Sequence, residues 1–284
     1  MSLDSTFKYQ IKLAIDQQKK NNFQDFIDKL LLHKYDTKYL PTRQYRDKGC
    51  DGIIDGKEVI AVYAPESIEL EQFKKKLTAD YQLYVTNWKS TYPMFKFIVN
   101  AELTAEMIIH CDETDNAIGR LGIDQLVHIL EGLQWTKIRD IAFYLNIDEQ
   151  YFIHDILKCV VDDLLNEDSQ QNILNLTTPP NIVEKIKANY DPNDVQSAID
   201  QYENILPTMG ALKVILSSYA DSEISALKDK ILTLYNKLSG DFKSRLESMV
   251  ELLGTKSPQD ELYLYFIKVV LIYFFEICLI GKKV

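Results

Sequence analysis

Apolar and aromatic residues recur at helical spacing from the start of the chain, at Phe7, Ile11, Leu13 and Ala14 and again at Phe23, Phe26, Ile27, Leu30 and Leu31. Residues 5 to 34 are therefore expected to form one or two helices. After Pro41 the texture changes. The run GCDGII has strand character, Asp55-Gly56 is a hairpin turn signal, and EVIAVYA is a β-rich run closed by Pro65, so a β-hairpin is expected. Residues 67 to 88 return to three-to-four spacing through Leu70, Phe73, Leu77, Tyr81 and Tyr84, which predicts a helix with Lys74, Lys75 and Lys76 on its exposed side. The run MFKFIVNA over 94 to 101 predicts a central strand. The order helix, hairpin, helix, strand is an αββαβ core.

Beyond residue 111 strand signals fade and amphipathic patterns dominate. Helices are expected over 122 to 133, 136 to 145, 149 to 166, 180 to 189, 193 to 205, 208 to 237, 240 to 252 and 259 to 280. Asp148, Asp191-Pro192 and Ser257-Pro258 supply start signals, and Gly254 and Gly281 supply stops. The fold class is α+β, with an α/β domain over 1 to 110, a helical middle region over 111 to 206 and a helical C-terminal domain over 207 to 284. Trp135 lies on an apolar stripe with Ile138, Ile141 and Ala142, which core packing explains. The two short helices around it imitate a helix-turn-helix, but their acidic neighbours argue against DNA there.

Residues 262 to 281 are apolar nearly all round and almost long enough to span a bilayer, yet Lys268 and Glu276 interrupt them. A protein helix covered on every side is the expectation. Either a helical bundle encloses it, or a second copy does through Tyr265, Phe266, Tyr273 and Phe274.

Charge narrows the partners. The formal net charge is −10, but residues 1 to 110 hold 16 Lys+Arg against 15 Asp+Glu, and residues 111 to 284 hold 16 against 27. Phosphate contacts supply most nucleic-acid affinity, so the first part alone is a candidate for DNA contact, through Lys48, Lys74, Lys75 and Lys76. The four cysteines, Cys50, Cys111, Cys159 and Cys278, form no CxxC pair and have no histidine at metal-ligand spacing. With no apolar leader in MSLDSTFKYQ, they read as reduced thiols of a cytoplasmic protein. The scattered histidines His33, His110, His128 and His154 read as structural. No GxxxxGK[ST] loop or GxGxxG turn is present, so any ATPase would be a partner protein.

One constellation carries chemistry. An αββαβ core with an aspartate beside the hairpin resembles the frame of metal-dependent phosphodiesterases of the PD-(D/E)xK type. There, two carboxylates on neighbouring strands hold Mg²⁺ through oxygen, and a lysine two residues beyond the second orients or activates water. Asp51 takes the first position. The strand EVIAVYA reads Ala61-Val62-Tyr63 where E-x-K is expected, so ligand and lysine are missing. Migrated replacements would be Glu58 or Glu66 as the second carboxylate, with Glu58 as the metal partner of Asp51. Asp25 or Asp28 could reach in from the first helix, and Lys57, Lys74 or Lys96 could stand for the lysine. The plain alternative makes Asp51 a turn-forming residue in DKGCDG.

The run from residue 38 to 104 is also similar to the N-terminal part of components of prokaryotic ABC-type three-component defence systems. The matching pieces are Lys48-Gly49-Cys50-Asp51-Gly52, Val62-Tyr63-Ala64-Pro65-Glu66, Trp88 and Phe97-Ile98-Val99-Asn100. Tyr273 to Lys283 resembles the YxFExCxIGK ending of their helical domains. The resemblance implies a defence or mobile-element context and other protein components as partners. Ala61 stands where those relatives carry Gln, which argues for a degenerate nuclease-like domain. The alternative is an active Mg²⁺-dependent endonuclease using Asp51 and a displaced carboxylate.

Overall fold

The computed structural model describes residues 3–42, 48–166 and 181–282. Residues 43–47 and Lys283 of the resembling segments lie outside these. The chain divides into two compact units, Met1–Leu133 with Lys137–Glu149, and Gln134–Thr136 with Gln150–Val284. The first unit thus runs well past residue 110, where the strand signals fade, because a further strand and two more helices belong to it.

In the first unit the N-terminal pattern gives two helices, α1 (Ser5–Gln17) and α2 (Lys20–Tyr35). Asp4 caps α1 by accepting the Thr6 amide at 2.9 Å. Five strands follow with two helices among them: β1 (Tyr39–Pro41), β2 (Gly52–Ile54), β3 (Glu58–Tyr63), α3 (Leu70–Asn87), β4 (Met94–Val99), α4 (Ala105–Thr114) and β5 (Gly119–Leu121). The sheet order is β1-β2-β3-β4-β5. β1, β2 and β3 form an antiparallel meander, and β4 and β5 extend it in parallel. The αββαβ expectation is therefore short by two strands. β1 and β5 are each 3 residues long, too short to show any period. α5 (Ile123–Glu131) and α6 (Trp135–Tyr144) complete the unit.

Ile54 pairs with Glu58, so residues 55 to 57 connect the strands. Asp55 and Gly56 both have positive φ, 50° and 62°, which lets the Lys57 amide donate to the Ile54 carbonyl at 3.0 Å in a turn whose twist suits the strands. Alternation along β3 then decides what lies inside. Val59 and Ala61 join Ile53, Phe95, Phe97 and Val99 in one core, against Phe73, Leu77 and Tyr84 of α3 and Met107 and Cys111 of α4. Ile54, Ile60 and Ile98 are buried on the other face. There Tyr39 donates to Asp28 of α2 at 2.6 Å. Burial, reinforced by Asp28, holds the Tyr39 phenol far above its ordinary range.

The second unit is helical: α7 (Glu149–Leu165), α8 (Ile182–Asn189), α9 (Val195–Leu216), α10 (Asp221–Lys237), α11 (Phe242–Leu253) and α12 (Glu261–Glu276). Trp135 joins this unit, buried, with its ring 5.7 Å from Phe152 in an edge-on contact. The expected break at 206 to 207 is absent, and Pro207 lies inside α9. Instead the chain breaks between α9 and α10. α12 is enclosed by its own unit: Phe266 and Phe274 are buried, which removes them from any dimer surface, whereas Tyr265 is 39% exposed. Lys185, fully buried on α8, donates to the Phe275 carbonyl at 2.5 Å and lies 4.5 Å from the Phe275 ring centroid. It places a cation at the negative end of α12. Among the described residues no helix is long and apolar enough to cross a membrane.

Candidate functional site

Asp51 immediately precedes β2, where pairing between β2 and β3 stops. Its amide donates to the Ile60 carbonyl at 2.8 Å, and its Oδ2 accepts the Val62 amide at 2.7 Å. β2 reaches only to Ile60 in register, so the carboxylate takes an amide beyond the end of the ladder. One residue pair further, the Ala64 carbonyl accepts the Lys20 amide at 2.9 Å. Gly49 has φ +78°, and a Cβ there would meet Leu83 Cβ at 3.0 Å and the Asp80 carbonyl at 3.1 Å. Glycine is what lets this loop lie against α3.

A cleft of about 250 Å³ opens beside this ladder end. Asp51, Val62 and Ala64 line it from the sheet side, Lys20 and Gln24 from α2, and Lys76 and Asp80 from α3. The register corrects the sequence expectation by one residue. The side chains of β3 and its exit that reach the cleft are Val62 and Ala64, while Ala61 faces the core and is 1% exposed. Neither the Val62 nor the Ala64 side chain can hold a metal or move a proton.

The proposed replacements on the hairpin do not converge. Glu58 forms an ion pair with Lys96 at 2.6 Å at the far end of β3, both side chains mostly buried. Glu66 pairs with Lys20 at 2.7 Å on the surface, and that lysine holds its carboxyl below the usual range. Lys57 sits at the hairpin turn, 3.9 Å from Asp55. Asp28 is engaged by Tyr39. None of Glu58, Glu66, Lys57, Asp25 and Asp28 lines the cleft. A Glu58–Asp51 metal pair is therefore not built.

The lysine cluster divides as well. Lys74 pairs with Glu71 at 2.9 Å, and Lys76 turns to Asp80 at 2.7 Å, inside the cleft. Lys75 stays exposed. Lys48 is exposed, and its carbonyl accepts from the Trp88 indole at 3.2 Å.

Asp80 is the residue the sequence reading missed. It is 3% exposed and sits on the apolar stripe Phe73, Leu77, Asp80, Tyr84 of α3. An aspartate in a core-facing position, four residues from a lysine, is a signal visible in the sequence. Among the described residues no three His, Cys, Asp or Glu side chains gather around one point as a metal site would need. A divalent cation held by Asp51 and Asp80 would thus complete its shell with water or phosphate oxygens, as magnesium commonly does. No family model, curated protein or solved structure matches the chain.

Proposed function

We propose that the first unit is a nuclease-type core whose strand ligands have been lost, and that the protein serves a prokaryotic defence or mobile-element system by binding rather than cleavage. The mixed sheet, with its meander followed by parallel strands, supports a restriction-endonuclease-like core. The segments around Asp51, Val62 and Trp88 and the chain end support the defence context by their resemblance. One observation carries the reading: the Asp51 carboxylate is used by the Val62 amide, and the neighbouring cleft positions are Val62 and Ala64. Asp51 then ends a sheet ladder, and DNA or protein would contact the first unit through Lys48, Lys75 and the cleft rim.

A second reading has its own observation. Asp51, Asp80 and Lys76 share one cleft, so the carboxylate and ammonium missing from β3 are supplied by α3. This arrangement would support a Mg²⁺-dependent endonuclease.

Plasmid cleavage with Mg²⁺ or Mn²⁺ separates the two. Wild type, Asp51→Asn and Asp80→Asn are all expected to be inactive, with plasmid retardation retained. Metal-dependent cleavage by wild type, lost in both folded variants, would overturn the binding reading in favour of the enzyme.

A further inference from the structure

The second unit carries a groove of about 330 Å³ between α9 and α11, floored by α12. It is closed at one end by an ion pair between Lys243 and Asp194 at 3.1 Å. Along α11, Glu247 and Glu251 stand one turn apart on its wall. Among the described residues no cation lies within 4 Å of either carboxylate, although Glu247 acts at longer range on Lys243. Between them and α9 lies an apolar bed of Ala198, Leu246 and Val250. Lys268, the charge that interrupts α12, donates to the Gln201 carboxamide at 2.9 Å.

We infer that this groove binds a basic side chain of a partner peptide. The methylene stem of an arginine or lysine lies along Ala198, Leu246 and Val250, as long cationic side chains do on apolar surface. Its charged head sits between Glu247 and Glu251, and Lys268 takes a carbonyl of the peptide backbone. Charge favours this occupant over an acidic one, since residues 150 to 284, nearly all of the second unit, hold 13 Lys+Arg against 19 Asp+Glu. An excess of this size attracts cationic partners before contact.

The test uses the full chain and a fluorescent peptide, Gly-Ser-Arg-Gly-Ser, with a Glu-for-Arg peptide as its counterpart, read by anisotropy. The arginine peptide should bind and the glutamate peptide should not. Glu247→Gln with Glu251→Gln should weaken binding about tenfold, the loss of roughly 1.4 kcal/mol of charge pairing. Glu203→Gln with Glu261→Gln, which removes the same charge outside the groove, should leave it unchanged. Equal weakening by both double variants would overturn the inference by reducing it to net charge, as would equal binding of both peptides. Competition by free arginine as strong as by the peptide would also overturn it, because the site would then be one for a small molecule.

Discussion

At the scale of single residues, one strand register decides how the site is read. Ala61 and Val62 are neighbours of similar character, yet one is sealed in the core and the other lines the cleft beside Asp51. The difference is testable by placing a carboxylate at each. Ala61→Glu forces a charge among Val59, Phe73 and Phe97 and should destabilise the first unit by about 3 kcal/mol or more. Val62→Glu puts the carboxylate beside Asp51 instead. It should fold, lose a little stability from like-charge repulsion, and regain it with Mn²⁺, seen as a rise in melting temperature absent from wild type. The opposite ranking of the two variants would show the register to be wrong. Asp51 itself was legible as a candidate because Gly49 and Gly52 frame it. Its service to the Val62 amide was not, since that bond joins residues 11 apart in sequence.

At the scale of elements, long periodic segments were readable and short ones were not. α3, β3, β4, α7, α8, α11 and α12 follow from spacing alone, within a few residues at their ends, whereas the junction of α9 and α10 falls at residues 217 to 220 rather than near 206. β1 and β5 needed neighbours, because three residues gain their hydrogen bonds only when an adjacent strand is already in place. Pro207 shows packing overriding a local signal. Its ring leaves the Glu203 carbonyl without the usual amide, a cost of about 3 kcal/mol, but α9 keeps Ile205, Met209, Leu212 and Ile215 buried on either side.

Ties between elements are equally invisible to spacing. Asp140 of α6 meets Lys29 at 2.6 Å and His33 at 2.7 Å, both on α2. The Lys29 hydrogen bond, working against burial and helped by His33, holds the Asp140 carboxyl below its ordinary range. A carboxylate depressed in the folded state stabilises above its unfolded pKa and loses that contribution as pH falls through the folded value. Wild type should therefore lose stability toward pH ~3 by more than Asp140→Asn does, in urea midpoints measured across that range. Parallel pH curves would show that this tie contributes nothing.

At the scale of the whole molecule, two units each enclose a core, and each holds one of the chain's 2 tryptophans. Trp88 belongs to the first, packed 6.1 Å from Tyr92, and Trp135 to the second. Domains with separate cores unfold as separate cooperative units. Trp135→Phe and Trp88→Phe leave one reporter each, and their fluorescence transitions in urea should fall at different midpoints. Superimposable curves would mean a single cooperative unit. The assignment of Trp135 could not be read from its own helix, because α6 from Lys137 on belongs to the first unit, while the ring contact with Phe152 and the Trp135 amide's bond to the Asp260 carboxylate draw the residue into the second.

The amino-acid pattern alone determined the α+β class, the hairpin at Asp55-Gly56, the lack of an E-x-K pair at Ala61-Val62-Tyr63 and the enclosed character of α12. These depend on period, turn chemistry and residue type, which are local. Tertiary structure alone decided that Val62 and Ala64 face the cleft, that Glu58 and Glu66 are committed to other partners, that Asp80 and Lys76 stand with Asp51, and that Phe266 and Phe274 are buried. Each of these is a meeting between distant segments, fixed by the register of the sheet and by helix packing, and spacing along the chain carries no record of either.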